Sequence, residues 1–282
     1  MGCATIPAGR NEQQAPLRQT VTMTVELRTT LVELARTPRL LVACDYDGTL
    51  APIVEDPAAT APLPESVRAL RSLSGLPETA VAVISGRALR DLAMLTRLPA
   101  DVHLVGSHGS EFDGDFEHEL PQPARQLRGR LLAELERIIA GHEGVQLEIK
   151  PASVTVHVRR ARPDVAERVL RAVRQGPCGW DGVQITEGKA VIELAVVRTD
   201  KGEALDILRD RVRATATMFV GDDVTDEKAF RRLRGPDVGI KVGDGDTAAS
   251  QRVTDPVQVA TALEFLLRER RNWLDDHGAT GR

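Results

Sequence analysis

The chain has 282 residues, of which 42% are hydrophobic and 28% charged, and its formal net charge is −4. This composition supplies apolar material for one large or two small cores and excludes a mainly disordered chain. No apolar run approaches the roughly 20 residues that cross a bilayer, so we expect no membrane-spanning helix and no membrane partner. With eight aromatic residues and no long basic run, the sequence also lacks the features of a nucleic-acid-binding surface.

The cysteines and the first residues bear on the compartment. Cys3, Cys44 and Cys178 lie far apart and form no C-x-x-C pair, which argues against a disulfide framework or a cysteine zinc site. A reducing compartment, the cytoplasm, fits this usage. Residues 1–19 are polar and have no apolar signal core, so we expect a disordered lead there. A monomer is our default expectation, since nothing in the sequence addresses assembly.

Short apolar runs alternate with amphipathic helical patterns in the first and last parts of the chain. This alternation predicts an α/β fold with a Rossmann-like parallel sheet, which binds ligands beyond the carboxyl ends of its strands. The predicted strands span 40–44, 80–84, 102–105, 215–220 and 238–242, and the predicted helices span 20–36, 65–73, 87–98, 226–233 and 257–268.

The pattern changes between residues 119 and 194. Polar and apolar residues alternate with a period of two, as in an antiparallel sheet that has one wet face. The predicted strands span 145–149, 154–158, 182–186 and 190–194, with helices over 124–140 and 163–174. We therefore predict a small α+β domain over 119–194, inserted into a parallel-sheet domain formed by 20–118 and 195–282.

The first polar cluster, residues 45–49, has the sequence Asp-Tyr-Asp-Gly-Thr and follows the first predicted strand. Two carboxylates at i and i+2 before a glycine suit metal-assisted chemistry, in which one attacks or ligates while the other moves a proton. An ordinary Asp-Gly turn is the alternative. The short apolar strand before Asp45 argues against it, because such a strand ends at the ligand-binding edge of the sheet.

A second acidic cluster follows the strand predicted at 215–220. It contains Asp222, Asp223, Asp226 and Glu227. Acids at a helix N-terminus interact favourably with the helix dipole, which explains Asp226 and Glu227. The adjacent Asp222 and Asp223 instead repel each other unless a cation lies among them, so we predict a Mg²⁺ site that these acids share with Asp45.

Two weaker motifs supply further polar groups. Ser85 follows the second predicted strand, where a serine is also the commonest helix cap. Lys201 opens another predicted helix, and a lysine there opposes the helix dipole unless an anion lies beside it. A solvated surface lysine is the ordinary alternative. Only five of the 37 basic residues are lysines, so each lysine is somewhat more informative than usual.

In chain order, Asp45-x-Asp47-Gly-Thr, Ser85, Lys201 and Gly-Asp222-Asp223-x-x-Asp226 resemble the four motifs of the haloacid dehalogenase superfamily of phosphatases. Within that superfamily, the chain resembles the trehalose-6-phosphate phosphatases from about residue 38 to 267. The insert contributes to this likeness through Glu148-x-Lys150-x-x-Ser153-x-x-x-His157-x-Arg159 and Gly188-Lys-Ala-Val-Ile-Glu193.

The resemblance implies a Mg²⁺-dependent enzyme that hydrolyses trehalose 6-phosphate, the last step of trehalose biosynthesis, with the insert as a C2-type cap over the core. It implies Asp45 as the nucleophile, Asp47 as the general acid and base, and Ser85 and Lys201 as groups that balance phosphoryl charge. The implied metal residues are Asp45, Asp47, Asp222, Asp223 and Asp226. The implied substrate-binding residues are Gly86, Arg87, His108, Glu148, Lys150, Ser153, His157, Arg159 and Glu193.

Alternatives remain at two levels. The polar residues of the insert could form a solvated sheet face that binds nothing. A phosphatase of sucrose phosphate or of a glycosyl phosphoglycerate is the nearest alternative enzyme. A sugar-phosphate sensor without turnover is the alternative from another class, although a mere binder needs neither Asp45 nor Asp47. A small-molecule sugar phosphate is the expected partner for either phosphatase and for the sensor.

Overall fold

The computed structural model describes residues 23–54, 60–112, 122–150, 152–188, 190–196 and 200–278. The disordered lead predicted over 1–19 lies outside these residues. In the part of the chain that is described, no helix combines the length and the apolar character needed to cross a membrane.

The strands and helices follow the predicted alternation. The strands are β1 (Leu40–Cys44), β2 (Thr79–Ile84), β3 (Val102–Gly106), β4 (Glu111–Phe112), β5 (Gln146–Ile149), β6 (Ser153–His157), β7 (Gln184–Gly188), β8 (Val191–Ala195), β9 (Ala216–Gly221), β10 (Val238–Val242) and β11 (Gln251–Val253). The helices are α1 (Val25–Ala35), α2 (Pro64–Ser74), α3 (Leu89–Thr96), α4 (Gln122–Ile139), α5 (Pro163–Gln175), α6 (Lys201–Val212), α7 (Glu227–Phe230) and α8 (Pro256–Gly278).

The larger sheet has seven strands in the order β11-β10-β9-β1-β2-β3-β4. All neighbours pair in parallel except β3 and β4, which confirms the predicted parallel α/β fold. The chain moves from β1 to one side of the sheet and later returns on the other side at β9. The carboxyl ends of β1 and β9 therefore flank the point where the strand order reverses, the usual ligand site of such sheets.

Strand β1 is buried along its whole length because helices cover both faces of the sheet. Its residues alternate between two apolar cores. Leu40, Val42 and Cys44 pack in the core that includes α1, α2 and α8. Leu41 and Ala43 pack in the core that includes α6 and α7. This two-sided burial explains why the strand has no polar residue before the cluster that begins at its end.

Helix α8 extends ten residues beyond the predicted end at 268, so that prediction was wrong. The helix continues through Arg270, which is fully buried. The Arg270 guanidinium donates hydrogen bonds to the carbonyls of Ala35 and Glu78, both at 2.9 Å, and to the Thr79 hydroxyl at 3.1 Å. The apolar pattern of the sequence ends the helix before Arg270. In the structure, tertiary hydrogen bonds satisfy the guanidinium of Arg270 within the core.

The smaller sheet has the antiparallel order β5-β6-β8-β7, as predicted for the insert. Apolar residues of β6 and β8, among them Val154 and Ile192, pack with α4 and α5 in a separate core. The opposite face of the sheet carries the polar residues of the insert. Strand β8 ends at Ala195, one residue past the predicted end of the insert. The predicted domain boundaries themselves stay a prediction.

Candidate active site

A buried cluster of charges lies at the carboxyl edge of the seven-stranded sheet. Asp45 follows β1, and Lys201 is the first residue of α6. The Lys201 ammonium lies 2.7 Å from the Asp45 carboxylate and 2.7 Å from that of Asp226. The Lys201 side chain is 3% exposed. Two anions therefore offset the unfavourable helix dipole at Lys201, and the ordinary explanation of a solvated surface lysine is wrong.

Burial is the largest single influence on the pKa values of this cluster. Burial raises the pKa of Asp45 well above its ordinary value, with Lys201 opposing and Asp226 reinforcing the shift. Burial and the Asp226 charge likewise raise the pKa of Asp222. Burial alone would lower the pKa of Lys201, but Asp45 and Asp226 outweigh it and raise that pKa. The cluster thus holds more negative charge than its one buried lysine offsets, which favours a bound cation.

The donor set fits a divalent cation. Carboxylate oxygens of Asp45, Asp222 and Asp226 all lie within 4.8 Å of one another, and Mg²⁺ prefers oxygen ligands. Both oxygens of Asp226 already accept hydrogen bonds: one from Lys201, the other from the backbone N–H groups of Asp222 and Asp223. Asp226 therefore organises the loop after β9, and Asp45 and Asp222 are left as the freer ligands. Asp223 is exposed.

Gly48 is required by the close approach of the two acidic loops. Its φ is +77°, and a Cβ at this position would lie 2.1 Å from the Asp222 carboxylate oxygen. The Thr49 hydroxyl lies 3.3 Å from the other carboxylate oxygen of Asp222. The glycine after the second carboxylate therefore lets the loop after β1 reach the loop after β9, and an ordinary Asp-Gly turn does not explain it.

Asp47 is more exposed than the buried cluster, with 41% of its side chain exposed, and is bound by Arg87. The guanidinium donates two hydrogen bonds to the Asp47 carboxylate, from Nε at 2.7 Å and from Nη2 at 2.6 Å. It also donates to the Thr60 hydroxyl at 3.2 Å and lies 5.4 Å from the centre of the Tyr46 ring. The hydrogen bonds to Asp47 raise the pKa of Arg87. Arg87, expected from the sequence to bind substrate, here orients the expected general acid and base.

These groups surround a cavity of about 550 Å³ at the switch point of the sheet. Ser85 is buried at its wall, where its hydroxyl accepts a hydrogen bond from the Arg87 backbone N–H at 3.2 Å. The candidates from the sequence that line the cavity are Asp45, Asp47, Ser85, Gly86, Arg87, His108, Lys201, Asp222 and Asp223. The structure thus brings together the residues of all four motifs.

The substrate-binding candidates of the insert fall into two groups. In the first group, the Lys150 ammonium lies 3.3 Å from the Glu193 carboxylate, which also accepts a hydrogen bond from the Ser153 hydroxyl at 2.7 Å. The Lys150 side chain is 10% exposed, so this part of the sheet is not a solvated face. Lys150 also contacts the core, 3.1 Å from Glu111 and 3.2 Å from the Ser107 hydroxyl.

The second group lies further along the same sheet. Glu148 and His157 pair at 2.8 Å across β5 and β6, and Arg159 follows the end of β6. These residues line a cavity of about 500 Å³ that is separate from the cavity beside Asp45. Their side chains are more exposed than those of the first group, with 47% for Glu148 and 42% for His157.

Sequence reasoning missed two buried groups beside the site. Glu111 in β4 is 8% exposed and contacts Lys150. Lys241 in β10 is 5% exposed and donates to the backbone carbonyl of Asp222. The position of Glu111 in the polar stretch after β3 was a usable indication. So was the scarcity of lysine, which made Lys241 more informative than an arginine.

The chain is similar to known proteins in sequence and in fold. The family model described as trehalose-phosphatase matches residues 43–260. A trehalose-phosphate phosphatase of Mycobacterium marinum is 35% identical over 238 residues, covering 79% of this chain and 60% of the relative. One from Mycobacterium tuberculosis is 34% identical over 253 residues, covering 84% of this chain and 63% of the relative. The chain thus spans about three fifths of these relatives.

A solved structure matches at the level of the fold and of the sequence. The trehalose-6-phosphate phosphatase of Aspergillus fumigatus aligns with a TM-score of 0.58 and 26% sequence identity. The alignment covers 86% of this chain and 97% of the fungal one. The likeness therefore covers most of both chains.

Proposed function

Since the chain belongs to the trehalose-phosphatase family, we propose that it is a phosphatase which hydrolyses trehalose 6-phosphate to trehalose and phosphate. The observation that carries this proposal is the buried cluster of Asp45, Lys201 and Asp226, which opens into a cavity together with Asp47 and Asp222. Relatives named for trehalose 6-phosphate support the choice of sugar phosphate.

Asp45 is the proposed nucleophile. One of its carboxylate oxygens is held by Lys201 at 2.7 Å, which favours the ionised form and leaves the other oxygen to attack phosphorus. Attack breaks the bond between phosphorus and the sugar oxygen and forms an aspartyl-phosphate. Water then attacks the phosphorus of this intermediate, which releases phosphate and restores Asp45.

Asp47 is the proposed proton carrier for both steps. It gives a proton to the departing sugar oxygen and later takes one from the attacking water. The two hydrogen bonds from Arg87 fix the plane of the Asp47 carboxylate at the cavity wall. Arg87 thereby holds Asp47 in place before the reaction, so that Asp47 loses less conformational freedom on reaching the transition state.

Positive and polar groups balance the charge that develops on the phosphoryl oxygens. Ser85 and Lys201 line the cavity and supply a hydroxyl and an ammonium for this purpose. We propose that Mg²⁺ is held by Asp45, Asp222 and the backbone carbonyl of Asp47, with Asp226 supporting the loop and Asp223 nearby. When bound, the cation neutralises charge on the phosphoryl group.

The insert is the proposed cap, with residues 119–194 forming a domain that recognises the sugar. The polar face of its sheet carries donors and acceptors, among them Lys150, Glu193 and His157, that suit sugar hydroxyls. A cap over the cavity also excludes bulk water, which strengthens the electrostatic contacts of the reacting groups.

A phosphate-release assay over a panel of phosphate esters tests this function. We expect trehalose 6-phosphate to give the highest kcat/KM and glucose 6-phosphate, which lacks the second ring, to be a poor substrate. Faster turnover of sucrose phosphate or of a glycosyl phosphoglycerate would make the substrate wrong and leave the phosphatase class standing. Binding of sugar phosphates without turnover of any ester, p-nitrophenyl phosphate included, would identify a sensor.

A further inference from the structure

Strand β4 carries a buried carboxylate that the proposed reaction does not use. Glu111 accepts a hydrogen bond from the backbone N–H of Leu89 at 3.1 Å, at the start of α3. Its other oxygen accepts from the Ser107 hydroxyl and lies 3.1 Å from the Lys150 ammonium. One carboxylate of the core therefore contacts three segments: the helix after the Ser85 motif, the turn after β3, and the sheet of the insert.

The turn after β3, Ser107–Gly109, contacts the loop after β2, which contains Ser85 and Arg87. Ser107 and His108 have φ values of 48° and 56°, a left-handed conformation that non-glycine residues adopt only when their surroundings hold them there. The Ser107 N–H donates to the Arg87 carbonyl at 2.7 Å, and the His108 N–H donates to the Ser85 carbonyl at 2.9 Å. These two backbone hydrogen bonds, which do not involve Glu111, fix the turn to the segment that presents Ser85 and Arg87.

The same turn also contacts the start of α6. A Cβ on Gly109 would lie 3.0 Å from the Asp200 carbonyl oxygen and 3.1 Å from the Ala204 side chain. Asp200 caps the helix whose first residue is Lys201. The turn that Glu111 holds is thus packed between the two segments that supply Ser85 and Lys201 to the cavity.

Within the insert, Lys150 connects Glu111 to the sheet of β5, β6, β8 and β7, which is called the sugar-facing sheet because of its proposed role. Burial opposes the charge of Lys150, but Glu193 and Glu111 outweigh burial and raise its pKa. An ammonium has three N–H donors, and Lys150 has three acceptors within reach: Glu111, Glu193 and the Ser107 hydroxyl. Lys150 is therefore placed to hold the insert against the core.

We propose that Glu111 is a positioning residue, which acts through Lys150 to fix the sugar-facing sheet against the loop of Ser85 and Arg87. A sugar bound on the insert is thereby aligned with the phosphoryl site in the core. This inference rests on the proposed function, because it concerns the same sugar phosphate. It assigns to Glu111 the coupling between recognition by the insert and chemistry in the core.

A double-mutant cycle of Glu111→Gln and Lys150→Met tests the coupling, with trehalose 6-phosphate and p-nitrophenyl phosphate as substrates. Glu111→Gln should lower kcat for trehalose 6-phosphate by about tenfold, as expected for coupled groups in one hydrogen-bonded network, with little change in KM. Turnover of p-nitrophenyl phosphate should change by less than about twofold, because it has no sugar to align. In the Lys150→Met background, Glu111→Gln should have no further effect.

Two further variants and a physical measurement sharpen the test. Glu111→Asp keeps the charge and should recover most of the lost kcat. Glu187→Gln is the matched control, because it removes an exposed ion pair with Arg174 at 2.7 Å on the far side of the insert, and it should behave as the parent. Hydrogen exchange should become faster in β5 of Glu111→Gln, while the N–H groups of Ser107 and His108, which are bonded to the backbone of Arg87 and Ser85, should exchange as in the parent.

The outcomes separate this inference from the proposed function. A parent enzyme that turns over no sugar phosphate would overturn both. If the parent is active, the inference alone is overturned by parental kcat in Glu111→Gln, by equal losses on both substrates, or by effects that multiply in the double variant. Equal losses would make Glu111 a structural residue of the core.

Discussion

The buried cluster around Asp45 and the polar face of the insert's sheet both contain paired polar side chains, but they differ in burial. In the cluster, the side chains of Lys201 and Asp226 are 3% and 0% exposed, and both lie within 2.7 Å contacts. On the sheet, Glu148 and His157 are 47% and 42% exposed and pair mainly with each other. Lys150 lies between these extremes, at the contact of the two regions.

This difference follows from what each region has to do in the proposed reaction. Nucleophilic attack on phosphorus is favoured by groups held rigidly in a dry site, where an ion pair is stronger than in water. Recognition of hydroxyls instead requires side chains that can exchange one partner for another when the sugar arrives. Changes in the cluster should therefore affect every substrate, whereas changes on the sheet should affect only sugar phosphates.

The largest effect is expected for Asp45→Asn. An amide does not attack phosphorus, so turnover of trehalose 6-phosphate and of p-nitrophenyl phosphate should both fall by on the order of 10³-fold or more. Phosphate-release kinetics measure this loss, and circular dichroism checks that the fold persists. A folded variant that keeps substantial turnover of either ester would exclude Asp45 as the nucleophile.

Removal of divalent cations should have a comparable effect. We expect excess EDTA to abolish turnover of both esters and Mg²⁺ to restore it, because the cluster holds more carboxylates than Lys201 offsets. Added Mg²⁺ should also raise the unfolding temperature of the chelated protein, and Asp222→Asn should reduce that shift. Undiminished activity in chelator would contradict the metal site.

Asp47→Asn should reduce the turnover of the two substrates to different extents. It keeps the backbone carbonyl but carries no proton, so turnover of trehalose 6-phosphate should slow by roughly 10²–10⁴-fold. The loss should be smaller for p-nitrophenyl phosphate, whose leaving group needs no proton. Steady-state kinetics on both esters give the comparison, and equal losses would assign Asp47 a structural role.

On the sugar-facing sheet, Glu193→Ala should act on sugar phosphates alone. It removes an acceptor shared by Lys150 and Ser153, and kcat/KM for trehalose 6-phosphate should fall by about 1–3 kcal/mol in transition-state terms. Turnover of p-nitrophenyl phosphate should stay near the parental rate. A parallel fall on both esters would mean that the variant damages the fold.

The smallest effect is expected for Thr155→Val. Thr155 lies between Glu148 and Glu193 in the sheet register, and its buried hydroxyl has no hydrogen-bond partner among the described residues. Replacing that hydroxyl by a methyl group should raise the free energy of unfolding by about 1 kcal/mol. Thermal unfolding measures the change, and Thr155→Ser, which keeps a hydroxyl, is the control. A loss of stability would show that the hydroxyl has a partner.

Sequence reasoning worked best where a local pattern determines a tertiary position. Parallel strands present their carboxyl ends at one edge, so the motifs at Asp45, Ser85 and Asp222 had to meet once the strands were recognised. The antiparallel sheet of the insert followed from its alternation in the same way. Strands β4 and β11 were missed because two or three residues are too few to show a period.

Sequence alone determined the parallel core, the inserted sheet and the set of acids at one edge, because strand periodicity and the polar residues at strand ends are visible in short stretches of the chain. Only the tertiary structure decided that Arg87 binds Asp47, that Lys150 reaches Glu111 and that Arg270 is buried. Arg87 and Asp47 are 40 positions apart in the chain, and Arg270 and its partner Thr79 are 191 apart. The partner of a charged side chain depends on burial and on distance in the folded protein, and the spacing of residues along the chain predicts neither.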